Sequence, residues 1–211
     1  MNWLDAQSIV SGLGNFAVFG VAAIIFFETA TILGSFLPGD SLLFILGLAL
    51  ATWLTDYPLA AALLTVTVAA IAGSQVGYYV GKKTGPRLFR RKDGLIFNHK
   101  VLLRTEHFFE KYGARAIILA RFVPILRALI PMLVAMTNFD RKRFFRLNIF
   151  GGIAWVVGVT GAGYLLGHIQ LVKDHVELFV LGFVVLSSLP LPIELLREQL
   201  KTRAEKKKTA I

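Results

Sequence analysis

Two charge-free runs of membrane-spanning length, residues 59–81 and 147–169, decide what environment this chain can fold in. Crossing a bilayer core as a helix takes ~20 consecutive apolar residues, and each run supplies them without an Asp, Glu, Lys or Arg. Inside lipid the backbone must satisfy its own polar groups, so both runs are expected to be helical. With 55% hydrophobic residues and a mean hydropathy of +0.65, an ordinary soluble domain is excluded. The 211 residues accommodate a handful of membrane elements in one domain and leave no room for a separate soluble catalytic domain.

The net charge of +10 would fit nucleic acid if it were spread over one surface, but it is sorted instead. None of the 23 Lys and Arg precedes Lys82. They gather in blocks at 82–104, 141–146 and 197–208, each beside an apolar stretch, which is the pattern of cytoplasmic loops and a cytoplasmic tail. Nucleic acid is therefore not expected as a partner. The absence of Cys excludes disulfides and thiolate-bound metals.

The remaining apolar sequence is broken in ways a simple span is not. Residues 1–12 read as a short interfacial helix with Trp3 at the headgroup level. Residues 15–34 are apolar except for Glu28, and FLPGDSLL at 36–43 then places Pro38, Gly39 and Asp40 inside hydrophobic surroundings. A Pro-Gly break beside an acid cannot face lipid with its freed backbone groups unsatisfied. Residues 16–51 are accordingly expected to form a re-entrant hairpin with its tip near Pro38. ARFVPILRALIPML at 120–133 repeats the pattern with Arg121, Pro124, Arg127 and Pro131. Residues 100–112 read as a surface amphipathic helix, and a last span is expected at about 178–193 before a basic tail at 194–211.

The two halves are related by a fixed offset. Phe36 and Pro38 recur as Phe122 and Pro124, and Gly77, Tyr78 and Gly81 recur as Gly163, Tyr164 and Gly167, all 86 positions later. Repeat one spans about 15–81 and repeat two about 113–169, joined by a basic loop and helix over 82–112. The first hairpin has no basic neighbours and the second has many, so the repeats should be inverted. The expected architecture is an all-α polytopic membrane protein. It comprises an inverted repeat of two re-entrant hairpins, each followed by a transmembrane helix, plus a carboxy-terminal one, an arrangement recurrent in transporters. The Gly-Tyr-x-x-Gly elements are expected to permit close helix packing.

Four charges in the hairpins carry the chemistry. Glu28 and Asp40 belong to the first, Arg121 and Arg127 to the second, and each must face a cavity or a counter-charge. They could close the repeat interface as ion pairs. An Arg also grips phosphate with two parallel donors, and a desolvated carboxylate can titrate near neutral pH. His99 and His107 read as solvated, His168 as a span-end residue, and Asn148 as an interhelical hydrogen-bonding group. No metal-ligand spacing, phosphate-binding glycine loop or nucleophile elbow is present, so neither a metal, a cofactor nor an enzyme is expected.

Glu28 twelve positions before the Asp40 of FLPGDSL, then Gly77-Tyr78, ARFVPILR, and Phe144 with Asn148 and Trp155, closely resemble the DedA family of bacterial inner-membrane proteins over roughly residues 15–170. That family is related to the VTT-domain lipid scramblases. The resemblance implies two re-entrant hairpins in an inverted repeat, with required acids and arginines falling on Glu28, Asp40, Arg121 and Arg127. It also implies movement of undecaprenyl phosphate or phospholipid, dependent on the proton motive force. Where the family has Ala-Gly eight residues after its second arginine, this chain has Val134-Ala135. The expected role is a flippase for a phosphate-headed lipid in the bacterial inner membrane. Arg121 and Arg127 would hold phosphate, Glu28 and Asp40 would couple protons, and Pro38, Gly39 and Pro124 would break the hairpins. A proton-coupled ion transporter and a general phospholipid scramblase are the alternatives, and a homo-oligomer is compatible with all three.

Overall fold

A computed structural model describes residues 14–31, 34, 37–88, 112–137, 139–170 and 172, and among these every regular element is helical. The expected helix at 1–12, the surface helix at 100–112 save its last residue, His99, His107, the span at 178–193 and the tail lie outside the described residues.

Helices α1 (Ala17–Ala30) and α2 (Gly39–Thr52) have 14 residues each. At 1.5 Å per residue they are about 21 Å long, short of the ~30 Å hydrocarbon core. Thr31 ends α1 by turning to an extended conformation. Its hydroxyl donates to the Phe27 carbonyl at 2.9 Å and accepts from the Gly34 amide at 3.0 Å. One side chain thus satisfies end groups that lipid could not. Pro38 takes the position before α2, and Asp40 sits in the first turn, where the helix dipole favours an anion.

Helix α3 (Leu59–Leu88) has 30 residues and overruns the charge-free stretch that suggested it. It continues through Lys82 and Lys83, so the basic loop begins later than residue 82. Both lysines are exposed, and their aliphatic stems can lie along apolar surface while the ammonium groups reach out.

The second half is broken more finely. Gly113, at φ +55°, opens a 3-10 turn before the short α4 (Ala116–Leu119), and a second 3-10 turn covers Ala120–Phe122. Val123 is extended, as the residue before a proline must be, and Pro124 opens α5 (Pro124–Met136). Pro131 lies within α5, where it deprives the Arg127 carbonyl of its helical donor. Helix α6 (Arg141–Leu166) starts six residues before the charge-free run at 147. Its cap, Asp140, accepts from the Lys142 and Arg143 amides at 3.1 and 3.2 Å. That cap is a sequence signal in its own right: an Asp directly ahead of a helical stretch.

Helix α1 packs along α3, α2 along α6, α5 along α3, and α4 against α6. The α2–α6 contact is backbone on backbone, because a methyl at Gly47 would strike the Thr160 carbonyl and one at Gly163 the Phe44 carbonyl. Gly81 gives Met132 of α5 the same close approach, so the Gly-Tyr-x-x-Gly elements serve packing. Val18, Ile25, Leu46, Val66 and Trp155 centre one apolar cluster, and Tyr78, Ile130, Val134 and Phe144 the other. Ala135 is buried in the second.

The surface inverts the soluble pattern. Leu64 and Phe150 are 67% and 65% exposed, with Phe19, Val157 and Leu165 also outward, while Glu28, Arg121, Arg127 and Asn148 are buried. Apolar flanks around a charged interior suit a lipid solvent.

Candidate functional site

The break between α1 and α2 brings the two acids together. Glu28 lies two residues from the end of α1 and Asp40 in the first turn of α2. Gly39 lies flat against the Glu28 carboxylate, where any methyl would overlap it. The glycine of the break is needed for that contact more than for a turn.

Arg127, in the first turn of α5, reaches both acids. Its Nη1 donates to the two carboxylate oxygens of Asp40 at 3.1 Å each, and its Nη2 donates to Oε1 of Glu28. The side chains of Glu28 and Arg127 are 0% and 2% exposed and that of Asp40 22%, so Asp40 forms the accessible edge of the cluster. Trp155, in the middle of α6, completes it. Its Nε1 donates to Asp40 Oδ1 at 2.7 Å, and the Arg127 guanidinium lies 5.0 Å from its ring centroid. Two carboxylates thus share one guanidinium.

Arg121 stands apart. Its Nη2 donates to Ser74 Oγ at 3.0 Å, to the Ala70 carbonyl at 3.4 Å and to Asn148 Oδ1. Asn148 in turn donates to the Ile71 carbonyl at 3.1 Å, tying α6 to α3. Arg121 is buried, its Nη1 has no partner, and among the described residues no carboxylate pairs with it. The ion-pair alternative therefore holds, among the described residues, for Arg127 alone. The backbone break at Val123 separates the two side chains, sending one toward α3 and α6 and the other toward the acids.

Of the break residues, Pro38 and Gly39 adjoin the acid pair directly, and Pro124 sets the start of the helix that carries Arg127. His168 is exposed at the end of α6, with its ring at 2.8 Å from the Tyr164 carbonyl and away from the cluster. Among the described residues no three His, Cys, Asp or Glu side chains gather as metal ligands. The sequence placed Trp155 only in the motif that carries the family resemblance, without a site role, and did not single out Ser74. A signal for Trp155 existed: tryptophan concentrates at membrane interfaces, and one in mid-span needs an acceptor for its indole N–H.

Apolar flanks, two helices long enough to cross a bilayer, half-length helices and a buried charge cluster fit an α-helical membrane protein. Residues 37–165 match the VTT domain family. Protein DedA of Escherichia coli K12 is 38% identical over 176 residues, covering 83% of this chain and 80% of that one. An uncharacterized membrane protein of Mycobacterium tuberculosis H37Rv is 37% identical over 190 residues, 90% of this chain and 82% of its own. The inner membrane protein YqjA of Escherichia coli K12 is 33% identical over 150 residues, 71% and 67% of the two chains. This chain belongs to the DedA family of VTT-domain membrane proteins. No solved structure matches it significantly.

Proposed function

We propose that this protein is a flippase of the bacterial inner membrane that moves a phosphate-headed lipid, undecaprenyl phosphate first among them, with transfer coupled to protons. The observation that carries the reading is the sharing of Arg127 by Glu28 and Asp40. A guanidinium bound to two carboxylates can exchange them for a phosphate, which offers the same paired oxygen acceptors. When it does, the acids lose their cation inside a low-dielectric interior, and taking up a proton is the least costly way to leave them there. Binding of the anion and uptake of the proton are then linked.

The packing supports a re-entrant, inverted arrangement. The second arm of each hairpin lies on the span of the other half, α2 on α6 and α5 on α3, as an inverted duplication with swapped contacts would give. The half-length of α1 and α2 supports elements that enter the core and return. Arg121, without an acid partner among the described residues, is a second anchor for the phosphate.

The test is reconstitution. In vesicles, wild-type protein should move a labelled polyprenyl phosphate, faster with an imposed proton gradient, and Glu28→Gln and Arg121→Ala should each slow it. Arg127→Lys, which keeps the charge but loses the planar fork, should impair transport, and wild-type rates in that variant would sink the role. Cation flux without lipid movement would mark an ion transporter, and equal movement of zwitterionic phospholipid a general scramblase.

A further inference from the structure

Asp40 and Glu28 are not held alike. Glu28 bonds to Arg127 through Oε1, with the Gly39 backbone against its Oε2, and bonds to no side chain of α6 among the described residues. Asp40 is held from two helices, by Arg127 of α5 and by the indole N–H of Trp155 of α6. Trp155 also carries the Arg127 guanidinium on its ring face and is itself fully buried. No other charged side chain of the described residues bonds to the cluster, and Arg121 is occupied with Ser74, Asn148 and the Ala70 carbonyl.

The three hydrogen bonds from Arg127 to the acids would break together if the guanidinium left. The indole cannot leave with it, because it belongs to a different helix. We infer that Trp155 is a positioning residue for the movement of Arg127: it holds Asp40 in place while the guanidinium is away and offers its ring face as the surface over which the guanidinium departs and returns. What draws Arg127 away rests on the phosphate-lipid reading; the hold of Trp155 on Asp40 does not. The indole N–H donates one hydrogen bond and accepts none, so its bond to Asp40 uses none of the donors that Arg127 offers the acids.

Two measurements test this. In nanodiscs, protein labelled with ¹⁵N at its three tryptophans shows separate indole signals, assigned with Trp3→Phe and Trp53→Phe. The Trp155 N–H signal should lie downfield in wild type, stay there in Arg127→Ala and in the milder Arg127→Lys, and move upfield in Asp40→Asn. Collapse of the signal in both Arg127 variants to its Asp40→Asn position would overturn the inference, because the contact would then depend on the arginine. Second, Trp155→Phe keeps a ring and loses the donor. It should weaken binding of a short-chain polyprenyl phosphate about tenfold, the cost of leaving a partly buried carboxylate without a charge-assisted donor. In an Asp40→Asn background the same change should cost less than about twofold, since the acceptor is no longer charged. An equal loss in both backgrounds would make Trp155 a packing residue and overturn the inference. Failure of the wild type to bind the lipid would defeat the carrier reading, while the indole signal would still decide the Trp155 contact.

Discussion

Arg127→Met is the perturbation whose size the structure fixes most closely. It removes the guanidinium that makes three hydrogen bonds to two acids, leaving Glu28 fully buried and Asp40 with its side chain 22% exposed. Removing one side of a buried ion pair costs about 3–5 kcal/mol, because the stranded charge keeps its desolvation penalty. Arg121→Met makes the contrast. Its acceptors are neutral, so the loss of hydrogen bonds worth about 1 kcal/mol each is offset by removal of a buried cation that has no counter-charge among the described residues. The expected loss for Arg121→Met is within about 1 kcal/mol. Reversible unfolding by SDS in mixed micelles, followed by circular dichroism, would measure both. The combination Glu28→Gln, Asp40→Asn, Arg127→Met should recover most of the deficit, since a neutral set of similar volume has no stranded charge. The reasoning is refuted if Arg127→Met loses no more stability than Arg121→Met, or if neutralising the acids brings nothing back.

The other predictions concern positions where local geometry sets the outcome. Gly39→Ala places a methyl in the Glu28 carboxylate and should cost about 1–3 kcal/mol in the same titration and abolish transport, whereas Gly158→Ala, with nothing within 4 Å of the added carbon, should be neutral or stabilising by up to ~1 kcal/mol. Asp140→Ala removes the acceptor for two amides at the start of α6 and should cost about 1 kcal/mol, with faster hydrogen exchange at Lys142 and Arg143 as its local signature.

Much of this protein is local and was therefore readable from one chain. Charge-free runs at 59–81 and 147–169 located α3 and α6, and Pro38, Gly39 and Pro124 marked the breaks, because lipid forces helices and proline and glycine interrupt them. The four charges in apolar surroundings, Glu28, Asp40, Arg121 and Arg127, were legible as residues that require a cavity or a counter-charge, and three of them meet. Helix ends were less so. α3 runs past Lys82 and α6 starts at Arg141, because long basic side chains can extend a helix beyond the apolar region.

Which charge meets which was decided only by tertiary structure. Arg121 and Arg127 are of one type and six positions apart, a separation of about 240° around a helix even before the break at Val123 turns the chain. Nothing local says that Arg127 finds Glu28, 99 residues away, while Arg121 finds Ser74 and Asn148. One clue was available on α6: Asn148 and Trp155 are seven apart and so share a face. That face meets Arg121 at one level and Asp40 with Arg127 at another. The sequence determined that a few charges must be buried in an apolar, interrupted helical protein. The crossing of α5 and α6 over the α1–α2 break determined their partners, because side-chain pairing depends on where separate helices meet in space rather than on spacing along either one.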